Sequence, residues 1–186
     1  MKILLVGAHG TGKTTLAKEI QKLFPYCEII DGIHREAKEE GFQINQTSDI
    51  VSQIETVQRY LQKICGKPSF ISVDNIIRQT AYAICNKLPE PVIDLMKRLC
   101  QIEKEQFADI VFYIPIEFSL EKDLVRDEDL QFQKDADIEI KKLLNYFYMA
   151  SEIENLVIHF RPEYKIITGS IEDRIEQIKK AFPWEC

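Results

Sequence analysis

Residues 7–14 read Gly7-Ala8-His9-Gly10-Thr11-Gly12-Lys13-Thr14, a glycine-rich stretch that ends in a lysine and a threonine. Glycines at this spacing let the backbone turn its N–H groups inward around a bound phosphate. The lysine adds positive charge over the outer phosphates, and the threonine hydroxyl is a ligand for magnesium. A helix that begins here points its positive end at the same place. The stretch, called the glycine loop below, therefore predicts a site for the phosphates of ATP or GTP together with Mg²⁺.

The flanks of the glycine loop agree with this interpretation. An apolar run over residues 2–6 precedes it, and Leu16, Ile20 and Leu23 follow at helical spacing. The alternative, a structural glycine-rich turn, does not require such flanks. His9 occupies a variable position and is expected to be a bystander to the chemistry rather than a catalyst. The residues expected to contact the nucleotide are Gly7, His9, Gly10, Thr11, Gly12, Lys13, Thr14 and Thr15.

Short apolar runs alternate with longer helical patterns along the whole chain. The runs predict strands at residues 2–6, 27–30, 70–73, 110–114 and 164–168. The helical patterns predict helices at residues 13–24, 33–40, 50–64, 76–85, 91–107, 128–149 and 171–182. This alternation predicts an α/β fold with a parallel sheet covered on both faces. Because no repeat or flexible linker interrupts it, we expect one domain over residues 1–186, with an insertion-like segment at about 117–148.

Composition limits the partners that the chain is expected to have. The net charge of −6 gives no electrostatic reason to expect membrane or nucleic-acid binding, although a local basic groove stays open as an alternative. No apolar run approaches the length that spans a bilayer. The five cysteines are odd in number and include no C-x-x-C pair, which favours free thiols over a disulfide framework or a zinc site. We therefore expect a cytoplasmic protein.

Asp74 closes the third apolar run. A carboxylate at the carboxyl end of a parallel strand beside the glycine loop faces the ligand crevice. There it can bind magnesium through water, or accept the proton of an attacking hydroxyl. A helix cap for the segment that begins at Ile76 is the structural alternative, and it is compatible with a functional role.

Arg126 begins an acidic segment inside residues 117–148. Phosphoryl transfer needs positive charge around the migrating group and a cover against water, and a lid that carries an arginine would supply both. A solvated surface arginine explains the residue equally well. The absence of an N-K-x-D segment argues against a GTPase switch, and the single acid after the third strand argues against an ATPase motor.

Three further stretches, taken in their order, resemble a known family. They are Ile71-Ser72-Val73-Asp74-Asn75-Ile76-Ile77-Arg78-Gln79-Thr80-Ala81-Tyr82-Ala83, then Asp123-Leu124-Val125-Arg126 followed by Gln131-Phe132-Gln133, then Thr168-Gly169-Ser170 with Glu172, Asp173 and Arg174. With the glycine loop, they are similar to the small P-loop kinases and ATPases of bacteria and phages that resemble nicotinamide riboside kinases. Thymidylate and other nucleoside monophosphate kinases are more distantly similar. Asn75 stands where the family usually has arginine, and Leu124 replaces a lid glycine.

The resemblance implies a fold, a reaction and a set of site residues. The fold is the three-layer P-loop fold of the nucleoside-monophosphate-kinase type, with a five-stranded parallel sheet and a helical lid. The reaction is phosphoryl transfer that depends on ATP and Mg²⁺, with a small nucleoside or (deoxy)nucleoside monophosphate as acceptor. The implied roles are Lys13, Asp74 and Arg126 in catalysis, Thr14 and Asp74 at magnesium, Gly169 and Ser170 around adenine, and Arg35, Asp74 and Arg78 at the acceptor.

Several alternatives remain open at this level. Arg78 lies one helical turn after Asn75, and is the candidate to replace the arginine that is missing there. The acceptor could instead be a polynucleotide end or a modified base in DNA, which would need an open basic groove. A regulatory ATP-binding module with little turnover is a further alternative. A homodimer is compatible with the sequence.

Overall fold

The computed structural model of the protein describes residues 1–117, 130–149 and 164–182. Strands and helices alternate along these residues as the sequence predicts. The strands are β1 Lys2–Val6, β2 Glu28–Ile30, β3 Phe70–Ser72, β4 Ile110–Tyr113 and β5 Tyr164–Ile166. The helices are α1 Lys13–Leu23, α2 Ile33–Glu39, α3 Ile50–Ile64, α4 Ile76–Cys85, α5 Glu90–Phe107, α6 Leu130–Leu144 and α7 Ile171–Ala181.

The five strands form one parallel sheet in the order β2-β3-β1-β4-β5. The central strand β1 pairs on one side with β3, where Leu4 lies opposite Ser72, and on the other with β4, where Leu4 lies opposite Val111. In a parallel sheet all carboxyl ends lie at one edge, so the segments that follow the five strands begin close together. That edge is where the glycine loop and Asp74 were expected to meet.

Two helical layers cover the sheet, and β1 is buried against both. Ile3 and Leu5 pack on one face, in the apolar cluster that includes Leu16 of α1 and Ile178 of α7. Leu4 and Val6 belong to the apolar cluster on the opposite face, built from α3, α4, α5 and α6. Alternate side chains of a strand point to opposite faces, so a strand covered on both sides must be apolar throughout. The three-layer arrangement and the five parallel strands confirm the expected fold class.

The predicted elements differ from the observed ones mainly at their ends. The apolar runs overestimate the length of β3 and β4, because Val73 and Ile114 are buried but lie one residue beyond the ends of these strands. The helix expected at 128–149 is α6, followed by a π-helical turn at Asn145–Met149. Residues 118–129 lie outside the described part of the chain, so the expected lid, including Leu124 and Arg126, stays a prediction.

Two further expectations concern membrane helices and cysteines. Within the described ranges, no helix combines the length and the apolar character that a bilayer crossing requires. Cys27, Cys65, Cys85 and Cys100 are free thiols, while Cys186 lies outside the described residues.

A buried carboxyl group supports the strand–helix junction that carries Asp74. Glu103 of α5 is fully buried, and its two carboxyl oxygens lie 3.1 and 3.2 Å from the backbone nitrogen of Ile76, the first residue of α4. Burial raises the pKa of Glu103 to about 7. The carboxyl group lies at the N-terminus of α4. The helix dipole there favours its ionised form, whereas the loss of water on burial disfavours that form.

We expect the pKa of Glu103 to make stability depend on pH. Because folding raises the pKa of this carboxyl group, its protonated form stabilises the native state. The contribution is complete when the pH is below the pKa of the unfolded chain, and it is lost as the pH rises through about 7. Glu103→Gln keeps an acceptor oxygen for Ile76 and removes the titration. Between pH 5 and pH 8, wild type should lose on the order of 2 kcal/mol of unfolding free energy relative to the variant. Urea unfolding at both pH values measures the difference in unfolding free energy between wild type and variant. An equal difference at pH 5 and pH 8 would contradict the prediction.

Candidate functional site

A cavity of about 440 Å³ lies at the carboxyl edge of the sheet. Its walls come from the glycine loop and α1, from the segments after β2 and β3, and from α4. The lining residues are His9, Gly10, Thr11, Gly12, Lys13, Thr14, Thr15, Lys18, Asp31, Gly32, His34, Arg35, Ile44, Asn45, Val73, Asp74, Arg78 and Tyr82. One cavity therefore collects most of the residues that the sequence singled out for the phosphates and the acceptor.

Glycine is required in the glycine loop for two separate reasons. Gly10 and Gly12 have φ angles of 76° and 83°, in the left-handed region that other residues rarely adopt. At Gly7 the reason is space, because an added Cβ would lie 2.4 Å from the carbonyl oxygen of Ile114 after β4. The first residue of the loop is thus pressed against the neighbouring strand's extension.

Lys13 lies inside the loop rather than in solvent. Its side chain is buried, and its Nζ donates hydrogen bonds to the carbonyl oxygen of Ala8 at 2.5 Å and to Thr11 Oγ1 at 3.3 Å. The Thr11 hydroxyl in turn donates to the same Ala8 carbonyl at 3.1 Å. The ammonium group is therefore held within the curve of backbone where a phosphate is expected.

His9 is held in place by contacts with α4 and α6. Its backbone N–H donates to the hydroxyl of Tyr82 on α4 at 3.1 Å, and Gln133 of α6 donates to its carbonyl oxygen at 2.6 Å. Its ring stacks on Phe132 and meets the edge of Tyr82. This packing explains the presence of an aromatic side chain in the loop, and a role for His9 in nucleotide binding stays a prediction.

Asp74 is 2% exposed, and its carboxylate contacts groups of α4 and of the segment after β2. Its Oδ1 forms an ion pair with Arg78, one turn into α4. Its Oδ2 accepts a hydrogen bond from the backbone N–H of Ile33 at 3.2 Å, and His34 Nε2 lies 3.8 Å from Oδ1. Asp74 thereby joins the segment after β3 to the segment after β2. Arg78 also lines the cavity, and its replacement of the missing arginine stays a prediction.

The capping role suggested for Asp74 is wrong. The N-cap of α4 is Asn75, whose side-chain oxygen accepts a hydrogen bond from the backbone N–H of Arg78 at 2.9 Å. Asn75 also donates from Nδ2 to the carbonyl oxygen of Leu5 at 3.0 Å. The cap position belongs to Asn75 because its backbone is extended and immediately precedes the helix, while the Asp74 side chain faces the cavity.

Several cavity residues were given no role from the sequence, among them Lys18, Asp31, His34 and Tyr82. Asp31 was within reach of sequence reasoning, because it follows β2 just as Asp74 comes after β3. Lys18 lies one helical turn beyond Thr14 on α1. Burial, with the nearby charges of Arg78 and Lys13, holds the pKa of His34 well below its usual value. His34 is therefore a neutral imidazole at neutral pH.

Gly169 and Ser170 do not border the cavity as the described residues form it. Ser170 caps α7 in a reciprocal arrangement with Asp173, and the Gly169 N–H donates to the carboxylate of Glu117 at 3.0 and 3.1 Å. The local bonding of this loop therefore satisfies a helix terminus, and its contact with adenine stays a prediction.

The oxygen ligands needed by magnesium are present in the cavity. Thr14 and Asp74 both line it, and magnesium commonly takes one or two protein oxygens together with substrate phosphates and water. No cluster of three or more His, Cys, Asp or Glu side chains suited to a metal occurs among the described residues. The residues present fit a magnesium ion that arrives with a nucleotide.

Comparison with known proteins identifies the fold. No protein-family model matches the chain, and no curated protein sequence does. The fold is similar to that of NadR protein in complex with NR, with a TM-score of 0.62 and 15% identity, covering 86% of this chain and 48% of NadR. It is also similar to that of deoxyadenosine kinase from M. mycoides bound to dCMP and dCDP, with a TM-score of 0.63 and 16% identity. This match covers 98% of this chain and 99% of the deoxyadenosine kinase chain. The chain has a P-loop nucleoside-kinase fold.

The two matches differ in how much of the other protein they include. The chain spans about half the length of NadR and nearly all of deoxyadenosine kinase. NadR also matches in a structure with NAD and AMP-PNP, and deoxyadenosine kinase in one with dATP. At 14–17% identity these likenesses establish the fold.

The position of Asp74 leads to a sharp test. Asp74→Asn keeps the shape of the side chain, leaves the Asn75 cap in place and removes the charge. If the carboxylate takes part in the reaction, turnover should fall on the order of 10²-fold. Asp49→Asn makes the same chemical change at the exposed cap of α3, outside the cavity, and should leave turnover unchanged. Steady-state kinetics of both variants decides, and a rate for Asp74→Asn within about threefold of wild type withdraws the catalytic role.

Proposed function

We propose that this protein transfers the γ-phosphoryl group of ATP to a hydroxyl group of a small nucleoside, in a reaction that depends on Mg²⁺. The observation that carries the proposal is the shared cavity. The glycine loop, with Lys13 and Thr14, forms one part of its wall, and the Asp74–Arg78 ion pair forms another. In-line transfer requires the donor and acceptor sites to lie next to each other, as two parts of one cavity wall do.

The charges of the cavity favour a polyphosphate donor. Its cationic side chains are Lys13, Lys18, Arg35 and Arg78, and its carboxylates are Asp31 and Asp74. Positive charge is therefore in excess, and the two lysines belong to the loop and helix that surround the expected phosphates. The nucleotides named with the structural neighbours, AMP-PNP and dATP, support a nucleotide at this position.

On the acceptor side the charges nearly cancel, which favours an uncharged acceptor. Arg78 is already paired with Asp74, and His34 is neutral. Asp31 and Arg35 carry opposite charges, which cancel in the sum. The phosphate of a nucleoside monophosphate would add a charge of about −2. The described residues of this region offer no cation beyond those that the carboxylates already balance. We therefore favour a nucleoside over a nucleoside monophosphate as the substrate.

The proposed step exchanges one P–O bond for another. The acceptor hydroxyl oxygen bonds to the γ-phosphorus while the bond to the β,γ-bridging oxygen breaks, so ADP leaves and a phosphate monoester forms. The hydroxyl proton passes to the Asp74 carboxylate, the base role among the two suggested for it. Lys13 and the loop N–H groups hold the donor phosphates in position. Magnesium, held by Thr14, would neutralise charge on the phosphate oxygens.

Arg126 completes the proposal. It lies outside the described residues, in the segment between β4 and α6. We assign to it the guanidinium that neutralises the transferring phosphoryl group from a lid. Gly169 and Ser170 are assigned to the adenine of the donor on the resemblance alone.

The proposal is tested first by substrate screening with a loop variant as control. ADP release should appear with one or more of a panel of nucleosides, nucleoside monophosphates and nicotinamide riboside, and nucleosides should be preferred. Lys13→Ala should abolish turnover and weaken nucleotide binding less, because the loop N–H groups remain. Retention of wild-type turnover by Lys13→Ala would remove the glycine loop from the donor site. Release of ADP at an equal rate with and without every acceptor would favour a simple ATPase.

Arg126 is tested by separating turnover from binding. A guanidinium that acts on the transferring phosphoryl group contributes mainly in the transition state, so Arg126→Ala should lower kcat by about 10³-fold while the affinity for ATP changes little. Arg126→Lys should restore activity only in part, because an ammonium group lacks the planar two-pronged contact. An unchanged kcat for Arg126→Ala would end its assignment to the lid.

A further inference from the structure

One buried arginine connects the C-terminal helix to the glycine loop. Arg174 of α7 is fully buried, and its Nη1 donates a hydrogen bond to the carbonyl oxygen of Thr11 at 3.0 Å. Its Nη2 donates to the carboxylate of Glu117, four residues beyond β4, at 2.6 Å. The same carboxylate accepts the N–H of Gly169 after β5. This ion pair therefore joins three of the segments that meet at the carboxyl edge of the sheet.

The bond to Thr11 fixes the direction of the next N–H group. In a planar trans peptide, the carbonyl of one residue and the N–H of the next point in opposite directions. The peptide between Thr11 and Gly12 turns its carbonyl towards Arg174, so the Gly12 N–H points away from α7. Thr11 and Gly12 both line the cavity, and the left-handed backbone of Gly12 helps to hold this orientation.

We propose that Arg174 is a positioning residue for the donor phosphates: by holding the Thr11 carbonyl, it aims the Gly12 N–H into the phosphate-binding curve of the glycine loop. Glu117 acts one step further out by orienting the guanidinium. The proposal rests on the proposed donor site and adds to it a residue that does not line the cavity itself. A neutral acceptor bonded to a charged donor is among the stronger hydrogen bonds, which suits a group that must hold a peptide in one orientation.

The alternative is that Arg174 serves stability alone. A buried ion pair can be retained without contributing to any site, and removal of one partner is costly in either case. Loss of stability therefore cannot separate the two explanations. Phosphate-dependent binding can, because it depends on the direction of the Gly12 N–H.

Isotope labelling gives a direct view of the relevant amides. The chain has seven glycines, and only Gly12 and Gly169 follow a threonine. Combined ¹³C-carbonyl threonine and ¹⁵N-glycine labelling therefore selects the two peptides at either end of the Arg174–Glu117 pair. Gly41 and Gly66, seen with ¹⁵N-glycine alone, report whether each variant is folded.

The experiment titrates the full chain with ADP and Mg²⁺, and with adenosine as the probe that lacks phosphate. In wild type the Gly12 resonance should move on addition of ADP. Arg174→Lys keeps the charge but cannot hold both partners, so it should shift the Gly12 resonance before any ligand is added. It should also weaken ADP binding by about tenfold to a hundredfold, the range expected for a hydrogen bond to a charged group. Adenosine binding should change by less than about threefold.

Two further variants make the result decisive. Glu117→Gln should weaken ADP binding in the same sense but less, because the bond from Arg174 to Thr11 survives. Lys180→Gln removes a charge from an exposed site on the same helix and should change neither resonance nor affinity. If Arg174→Lys does not fold, Glu117→Gln carries the test, and unchanged ADP affinity there overturns the proposal. A folded Arg174→Lys with ADP affinity within twofold of wild type overturns it as well, whereas absence of ADP binding by wild type overturns the donor site itself.

Discussion

The double pairing of β1, parallel to β3 on one side and to β4 on the other, is the constraint on which the rest of the structure depends. It places the start of the glycine loop so close to the segment after β4 that Gly7 has no room for a side chain beside Ile114. It also brings Asp74, at the end of β3, to the same edge. The cavity follows from these pairings, because helices cover both faces of the sheet and leave this edge free for a ligand.

Two buried arginines at this edge are each paired with a carboxylate. Asp74 is bonded to Arg78, and Arg174 to Glu117, in positions where an unpaired charge would be costly. One pair lies in the wall of the cavity, and the other lies behind the glycine loop. An edge organised in this way can keep its side chains oriented before a ligand arrives, which is the condition under which electrostatic groups contribute most to catalysis.

Local patterns were sufficient to predict the strands, the helices and the glycine loop, because each depends on neighbouring residues or on a short spacing. Asp74 was identified because the end of a strand is visible in the sequence. The capping alternative offered for Asp74 was wrong, since Asp74 and Asn75 are both capable of capping and only tertiary contacts decide between them. No local signal in the sequence indicated the contacts of Arg174, Glu103 and Gln133. The contact of Arg174, for example, is with Thr11, which lies 163 positions away in the chain.

The central claim is that a phosphoryl group leaves ATP and arrives on a nucleoside hydroxyl. Phosphorus NMR of wild type with ATP, Mg²⁺ and a mixture of nucleosides observes both ends of that transfer in one sample. We predict that a new phosphate-monoester signal grows at the same rate as the signals of ADP. Growth of inorganic phosphate in place of the monoester, or an unchanged ATP spectrum across the nucleosides, would contradict the account.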